Sequence, residues 1–166
     1  MADPIPARYH TVSPYLIFKN AADALKFYAR AFRGVETRRL LAPDQKIMHA
    51  EMKIGDSTIM LADEFPSHQA LSPESVGGSP VSLVLHVAEV DVRVNEAICA
   101  GATLLRPVQD QFTGDRSGTV LDPFGYRWTV TTHIEDISDE EIDRRFTAMM
   151  SGNKNHGAAD GKTHDG

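Results

Sequence analysis

Apolar residues recur along this chain with two alternating spacings, one typical of strands and one of helices. Residues 11–18 are extended and rich in apolar side chains, and Asn20 follows where it can cap a helix. The next apolar residues fall at i, i+3, i+4, i+7 and i+8, as expected for a helix with one buried face, and Gly34 is predicted to end it. These positions are Ala24, Phe27, Tyr28, Ala31 and Phe32.

Short strands follow this helix, and the order then repeats. Segments 37–41, 48–54 and 57–62 have strand character, and Gly55-Asp56 forms a hairpin turn between the last two. In the second half we predict a strand, a short helix and three more strands. These segments are 81–87, 91–100, 103–107, 118–121 and 127–133, and Val94, Ala97 and Ile98 are expected to face inward from the helix.

The repeated order predicts an internal duplication. An offset of 69 positions places Trp128 over Ile59 and Thr129 over Met60. Identities between the halves are few, so the order of elements and turns carries the inference. Asp122-Pro123-Phe124-Gly125 is a tight turn, because proline presets φ and glycine allows a positive φ. The predicted fold class is α+β, with two βαβββ modules in a curled mixed sheet and an extra C-terminal helix.

The chain is expected to form one duplicated domain over residues 1–137, with modules at about 9–64 and 81–137. Loop 63–80 is rich in Ser, Pro and Gly, and it is either a linker or a cover over a ligand site. Ser138 and Glu141 form a capping box that opens a helix over 138–150. We expect residues 151–166 to be disordered. The predicted helix over 138–150 carries an apolar stripe of Ile142, Phe146, Met149 and Met150.

Composition narrows the classes of function. The net charge of −6 comes without a clustered basic face, so nucleic acid is not an expected partner. No segment approaches the roughly 20 apolar residues of a membrane span, and no signal peptide is visible, so the expected location is cytoplasmic. Cys99 is the single cysteine, which excludes a disulfide framework, and we expect it to lie in the core.

Several linked motifs resemble the vicinal oxygen chelate superfamily. They are Ser13-Pro14-Tyr15-Leu16, the segment from Asn20 to Tyr28, His49-Ala50-Glu51-Met52 and the hairpin from Gly114 to Trp128. The nearest branch is that of the glyoxalase/bleomycin-resistance, PhnB-like proteins. The resemblance covers about residues 9–137 and implies the fold strongly, but the superfamily includes isomerases, dioxygenases, thiol transferases and non-catalytic drug binders.

Catalytic relatives hold a divalent metal on His and Glu side chains at four positions. By this resemblance the corresponding residues are Ser13, Met60, Ser82 and Thr129, and none is a histidine or a carboxylate. Hydroxyls and a thioether are poor ligands for such ions, so we expect the usual metal site to be absent and no cofactor to be needed.

A displaced site for a divalent metal or for acid–base catalysis is the alternative. His49 and Glu51 lie two apart on a strand, so both face one side, and they are the candidate catalytic residues. His86 is the third candidate, because it falls four residues beyond Ser82 and shares its face if the strand is regular. In the other interpretation His49 and Glu51 are a structural polar pair and His86 sits at the rim.

The remaining candidates outline a pocket. Tyr15 shares a strand face with Ser13, and Tyr15, Met60 and Phe124 are expected to form apolar walls. The other residues expected to line the pocket are Ser13, Ser82, His86 and Thr129. Arg116 either pairs with Asp115 or binds an anionic group, whereas Trp128 is expected in the core. These features predict a protein that binds or sequesters a partly apolar metabolite or antibiotic; the alternative is a lyase, isomerase or dioxygenase-like enzyme. The resemblance also implies a homodimer.

Overall fold

Two four-stranded mixed sheets, each with its own helix, follow one another along the chain. A computed structural model describes residues 4–154. The first module comprises β1 (Tyr15–Phe18), α1 (Ala21–Phe32), β2 (Val35–Leu41), β3 (Ile47–Ile54) and β4 (Ser57–Asp63). A 3₁₀ turn at Pro66–His68 and the short helix α2 (Pro73–Val76) lie between the modules.

The second module repeats the arrangement with β5 (Ser82–His86), α3 (Val90–Ala100), β6 (Thr103–Asp110), β7 (Asp115–Leu121) and β8 (Arg127–His133). The sheet orders are β1-β4-β3-β2 and β5-β8-β7-β6, and in each sheet the first two strands are parallel while the others are antiparallel. The predicted α+β fold of two βαβββ modules is therefore confirmed. Helix α4 (Asp139–Lys154) is the extra C-terminal helix.

Strand pairing shows how closely the two modules correspond. Tyr15 pairs with Met60 in the first sheet, and Val84 pairs with Thr129 in the second. Tyr15 corresponds to Val84 and Met60 corresponds to Thr129 at the offset of 69 positions that was inferred from the sequence. The duplication thus extends to the register of the strands.

Each sheet has one face against the helices and one opposite face, which we call the open face. Leu16, Phe18, Leu61 and Met52 point to the helix side and are buried. Because side chains alternate along a strand, Tyr15, Met60, Glu51 and Arg38 lie abreast on the open face of the first sheet. Their counterparts on the second sheet are Val84, Thr129, Thr119 and Arg106.

Helix α1 begins as predicted and ends by a different device. The Asn20 side chain accepts a hydrogen bond from the Asp23 amide, which caps the first turn. At the other end Arg33, and not Gly34, adopts the left-handed conformation, with φ of 54°. Gly34 leaves room for a neighbour, because a Cβ there would overlap the buried Met52 side chain.

Some strand limits differ from the prediction. β1 begins at Tyr15 and not at residue 11, since Pro14 has no amide hydrogen to donate, although its carbonyl accepts a hydrogen bond from the Met60 amide. β6 continues to Asp110, past the predicted end at Pro107, because the ladder shifts register between Arg106 and Gln109 and so accommodates the proline.

The predictions for α3 and Trp128 have different outcomes. Trp128 is buried and its ring lies 4.7 Å from that of Phe32 on α1, so it is a core residue as predicted. Val94 and Ala97 are buried as predicted, but Ile98 is exposed, and the prediction of a core thiol at Cys99 is wrong. At 100° per residue, Cys99 falls on the side of α3 opposite Val90.

Helix α4 extends further than predicted. Ser138 Oγ accepts a hydrogen bond from the Glu141 amide, as expected for a cap, but the helix reaches Lys154, so residues 151–154 continue it. The Phe146 ring lies 5.6 Å from that of Phe112, while Phe146, Met149 and Met150 remain about half exposed. The predicted disorder of 155–166 lies outside the described residues. Within residues 4–154, no helix is long and apolar enough to span a membrane.

Candidate functional site

A buried carboxylate lies at the centre of the first sheet's open face. The Glu51 side chain is 3% exposed although it points away from the helix-side core. The N-terminal arm, residues 4–14, covers it: the Tyr9 hydroxyl donates a hydrogen bond of 2.7 Å to Glu51 Oε1, and Arg8 Nε lies 3.5 Å from Oε2. The arm is held in turn by Thr58, whose hydroxyl donates to the Arg8 carbonyl.

His49 extends this polar chain along the same face. Its Nε2 lies 3.2 Å from Glu51 Oε1, and its Nδ1 lies 3.2 Å from the Tyr15 hydroxyl. A carboxylate can only accept, so Nε2–H donates to Glu51, and Nδ1 of a neutral ring accepts from Tyr15. The sequence placed His49 and Glu51 on one face of a strand, and the structure joins them with Tyr9 and Tyr15 into the chain Tyr9–Glu51–His49–Tyr15.

The electrostatics of Glu51 follow from these contacts. Burial alone would raise the pKa of Glu51, but the hydrogen bonds from Tyr9 and His49 and the charge of Arg8 outweigh it and lower the pKa. The carboxylate is therefore ionised at neutral pH. It can act as a fixed negative charge, or it can orient the His49 ring for proton transfer.

An apolar groove begins at Tyr15. It runs between β1 and loop 63–80 and has a volume of about 390 Å³. Loop 63–80 therefore forms a wall and is not a structureless linker, since it contains α2 and the 3₁₀ turn. The groove is lined by Tyr15, Ile17, Leu71, Val76, Val81 and Tyr126, among others.

The free edge of β1 is closed by the second module. The Tyr126 hydroxyl donates to the Ile17 carbonyl and accepts from the Ile17 amide, both at 3.0 Å. This contact fixes the position of β1 beside the groove. It also ties the turn before β8 to the strand that carries Tyr15.

His86 is separated from His49 and Glu51. It lies on the second sheet and lines a cleft of about 220 Å³ together with His10, Pro14, Ile59 and Leu83. Within residues 4–154, no three His, Cys, Asp or Glu side chains come together as a metal site. The structure thus brings His49 and Glu51 together but does not bring His86 to them.

The four residues that the resemblance assigns to the usual metal site carry hydroxyl and thioether groups. Met60 lies opposite Tyr15, whereas Ser13 lies two residues before β1 begins. Ser82 and Thr129 lie on the second sheet and share a separate pocket. Phenol, hydroxyl and thioether groups do not fit a divalent ion, for which imidazole, carboxylate or thiolate donors are needed.

Two other predicted pocket residues lie away from the open faces. Phe124 packs in the core, with its ring 5.3 Å from that of Phe18 and 5.9 Å from that of Phe27. Arg116 pairs with Asp91 and Asp110 and not with Asp115, because consecutive residues of a strand point to opposite faces.

Sequence reasoning missed the covering residues Arg8 and Tyr9. They lie outside any strand or helix, so no periodicity marks them, and 42 residues separate Tyr9 from Glu51. It also missed Arg106, Thr119 and Arg127, which line the pocket of Ser82 and Thr129. Arg127 could have been predicted, because it lies two residues before Thr129 on one strand and therefore faces the same side.

Comparisons with known proteins agree with this architecture. An uncharacterized protein of Mycobacterium bovis is 38% identical over 144 residues, which cover 85% of this chain and 95% of that protein. The crystal structure of PA1353 from Pseudomonas aeruginosa matches with a TM-score of 0.61 and 26% identity, covering 76% of this chain and 99% of that one.

The PhnB protein of Bacillus cereus has the same fold, with a TM-score of 0.58 at 17% identity, over 74% of this chain and 99% of that one. The family model of the Glyoxalase/Bleomycin resistance protein/Dioxygenase superfamily matches residues 9–130. This chain therefore belongs to the Glyoxalase/Bleomycin resistance protein/Dioxygenase superfamily.

Proposed function

We propose that the protein binds a small, partly apolar molecule, a metabolite or an antibiotic, without the metal that catalytic relatives use. The position of Tyr15 carries the proposal: its hydroxyl contacts His49, and the residue lines the apolar groove beside loop 63–80. The groove takes the apolar part of the ligand, and the His49–Glu51 pair takes a polar group. Mostly apolar walls with a few placed polar groups are typical of small-molecule sites.

A thermal-shift screen over metabolites and antibiotics, followed by variants, tests this proposal. A true ligand raises the melting temperature, and Tyr15→Ala and Glu51→Gln reduce that increase. Glu140→Gln is the matched control, since it removes an exposed carboxylate on α4, far along the chain from the groove. If no compound stabilises the protein, or if both site variants respond like the control, the proposal fails.

Acid–base catalysis at His49 is the second candidate function. The observation that favours it is the contact of His49 Nε2 with a nearly buried carboxylate, an arrangement that orients a general base. Such an enzyme would be a lyase or isomerase, or a dioxygenase-like enzyme if a displaced metal binds. Elemental analysis of protein purified without affinity-tag metal distinguishes a metal-free binding protein from an enzyme with a displaced metal. Stoichiometric metal that is lost in His49→Ala and Glu51→Ala would favour the enzyme.

The proposal includes a homodimer in the cytoplasm. Apolar side chains remain exposed on both open faces, among them Tyr15 and Leu40 on the first sheet and Val84 on the second. A second copy of the chain would cover them, and two-fold dimers are the commonest oligomers. Sedimentation velocity at micromolar concentration should give the dimer mass, and Val84→Arg should shift it to the monomer. A monomeric mass for the unaltered protein would refute this part.

A further inference from the structure

The second sheet carries a pocket of its own on the open face. It has a volume of about 380 Å³, within the range of about 300–1,000 Å³ that is usual for ligand sites. Its lining differs from that of the groove at Tyr15, because it is dominated by polar side chains. The lining residues are Ser82, Leu105, Arg106, Thr119, Arg127 and Thr129.

Strand register explains why these side chains converge. Arg106, Thr119 and Thr129 lie abreast on β6, β7 and β8. Arg127 is two residues before Thr129 on the same face, and Ser82 is its partner on β5. With strands about 4.8 Å apart and about 3.3 Å per residue, the Cα atoms of Arg106 and Arg127 are roughly 12 Å apart. Two arginine side chains of ordinary length can close on a small ion over the threonines between them.

Neither arginine of this pocket forms an ion pair with a residue of the described chain, 4–154. The protein has a net charge of −6, yet Arg30 and Arg38 are the other arginines of the described residues without such a pair, and neither lines this pocket. No carboxylate lines the pocket. By contrast, ion pairs occupy Arg8, Arg33, Arg39, Arg93, Arg116, Arg144 and Arg145.

The hydroxyl groups add hydrogen-bond donors beside the arginines. Thr119 Oγ1 and Thr129 Oγ1 are 3.2 Å apart, so one of their two protons serves that bond and the other remains free. The Ser82 hydroxyl makes no hydrogen bond to any residue in the described range. Two guanidinium groups and two free hydroxyl protons, with no acid nearby, form a set of donors for an anion.

We propose that this pocket binds a doubly charged oxyanion, either a phosphate monoester or a dicarboxylate. Arg106 and Arg127 supply the compensating charge and the paired N–H donors, and Ser82 and one threonine supply the additional hydrogen bonds. The pocket lies on the second sheet, whereas Glu51 and His49 lie on the first, so this inference is separate from the proposed function. A site on each sheet gives the two modules different ligand chemistry despite their shared register.

Titration followed by backbone NMR tests the proposal with inorganic phosphate and succinate at constant ionic strength. We expect saturable shifts at the amides of Ser82, Thr119 and Thr129, and affinity weakened about tenfold or more by Arg106→Gln or Arg127→Gln. Arg106→Lys should keep part of the affinity, because a lysine retains the charge without the paired donors. Phosphate binding alone would assign a phosphate group, and succinate binding alone a dicarboxylate.

Arg30→Gln is the matched control, since Arg30 is an exposed arginine on α1 without an ion pair to another described residue. It should leave both titrations unchanged. Equal weakening in Arg30→Gln would show general charge attraction, and an absence of saturable binding by either anion would refute the site. Both outcomes overturn the proposal. Unchanged melting temperatures and spectra of the free variants show that they are folded.

Discussion

The Tyr28 hydroxyl donates a 2.6 Å hydrogen bond to Asp122 Oδ2 across 94 residues of sequence, and it thereby joins α1 of the first module to the β7–β8 turn of the second. Trp128 Nε1 donates to the same oxygen at 3.0 Å, while Oδ1 accepts from the amides of Phe124 and Tyr126. Asp122 is buried, and its carboxylate accepts all four hydrogen bonds. The modules are therefore joined by a polar contact inside an aromatic core.

Tyr28→Phe should destabilise the protein by about 1–3 kcal/mol, because the carboxylate loses a donor in a buried site while the ring and its packing remain. Urea unfolding measures the difference. Tyr15→Phe is the control, since Tyr15 is 48% exposed and its hydroxyl has access to water; it should cost less than about 0.5 kcal/mol. Equal effects of the two variants would contradict the structural role of the Tyr28–Asp122 bond.

The stability contribution of Asp122 should depend on pH in a defined direction. Burial raises the pKa of Asp122 in the folded state, despite the opposing hydrogen bonds from Tyr28, Tyr126, Trp128 and Phe124. Between the unfolded pKa of about 3.9 and this raised value, the folded protein binds more protons, so stability increases as the pH falls. Asp122→Asn lacks this titration.

We therefore expect the free energy of unfolding of the unaltered protein, relative to that of Asp122→Asn, to be greater at pH 4 than at pH 7. Urea unfolding of both proteins at the two pH values measures it. A carboxyl ¹³C NMR titration of the unaltered protein gives the same answer if the variant does not fold. A relative stability that decreases on acidification would mean that the folded pKa is lowered instead.

The fold could be predicted from the sequence because its signals are local and repeated. The α1 stripe from Ala24 to Phe32, the Gly55-Asp56 turn and the Asp122-Pro123-Phe124-Gly125 turn each act within a few residues. Their repetition at one offset fixed the order of strands. The pairing of Tyr15 with Met60 and of Val84 with Thr129 depends in addition on strand register, which the order of elements does not determine.

The site could be predicted only in part, because its contacts join distant segments. Alternation placed His49 and Glu51 together, but it could not show that Tyr9 covers the carboxylate or that His86 lines a different cleft. Phe124 was expected to form an apolar wall of the pocket, and instead it packs against Phe18 and Phe27. The direction of a side chain at a turn depends on the residues against which it packs. The pattern of neighbouring residues in the sequence does not identify them.

Cys99 should react readily in the native protein, because it lies exposed on the outer side of α3. We expect Ellman's reagent to label one thiol per chain in the absence of denaturant, at a rate within about tenfold of that in urea. Cys99→Ala should abolish the signal, since the chain contains no other cysteine. Labelling that occurs only after unfolding would show that the thiol is covered, and a dimer contact would then be the first explanation to examine.

Tyr9→Phe should raise the pKa of Glu51 toward or above its ordinary value. Burial already favours the protonated acid, and the Tyr9 O–H is the strongest of the groups that oppose it; its removal leaves His49 and Arg8 to stabilise the charge. A ¹³C NMR titration of the glutamate carboxyl groups measures the change. Tyr15→Phe should move this pKa less, because the Tyr15 hydroxyl contacts His49 and not Glu51. An unchanged Glu51 pKa in Tyr9→Phe would mean that water replaces the phenol, so that the N-terminal arm does not control the charge at the centre of the first sheet.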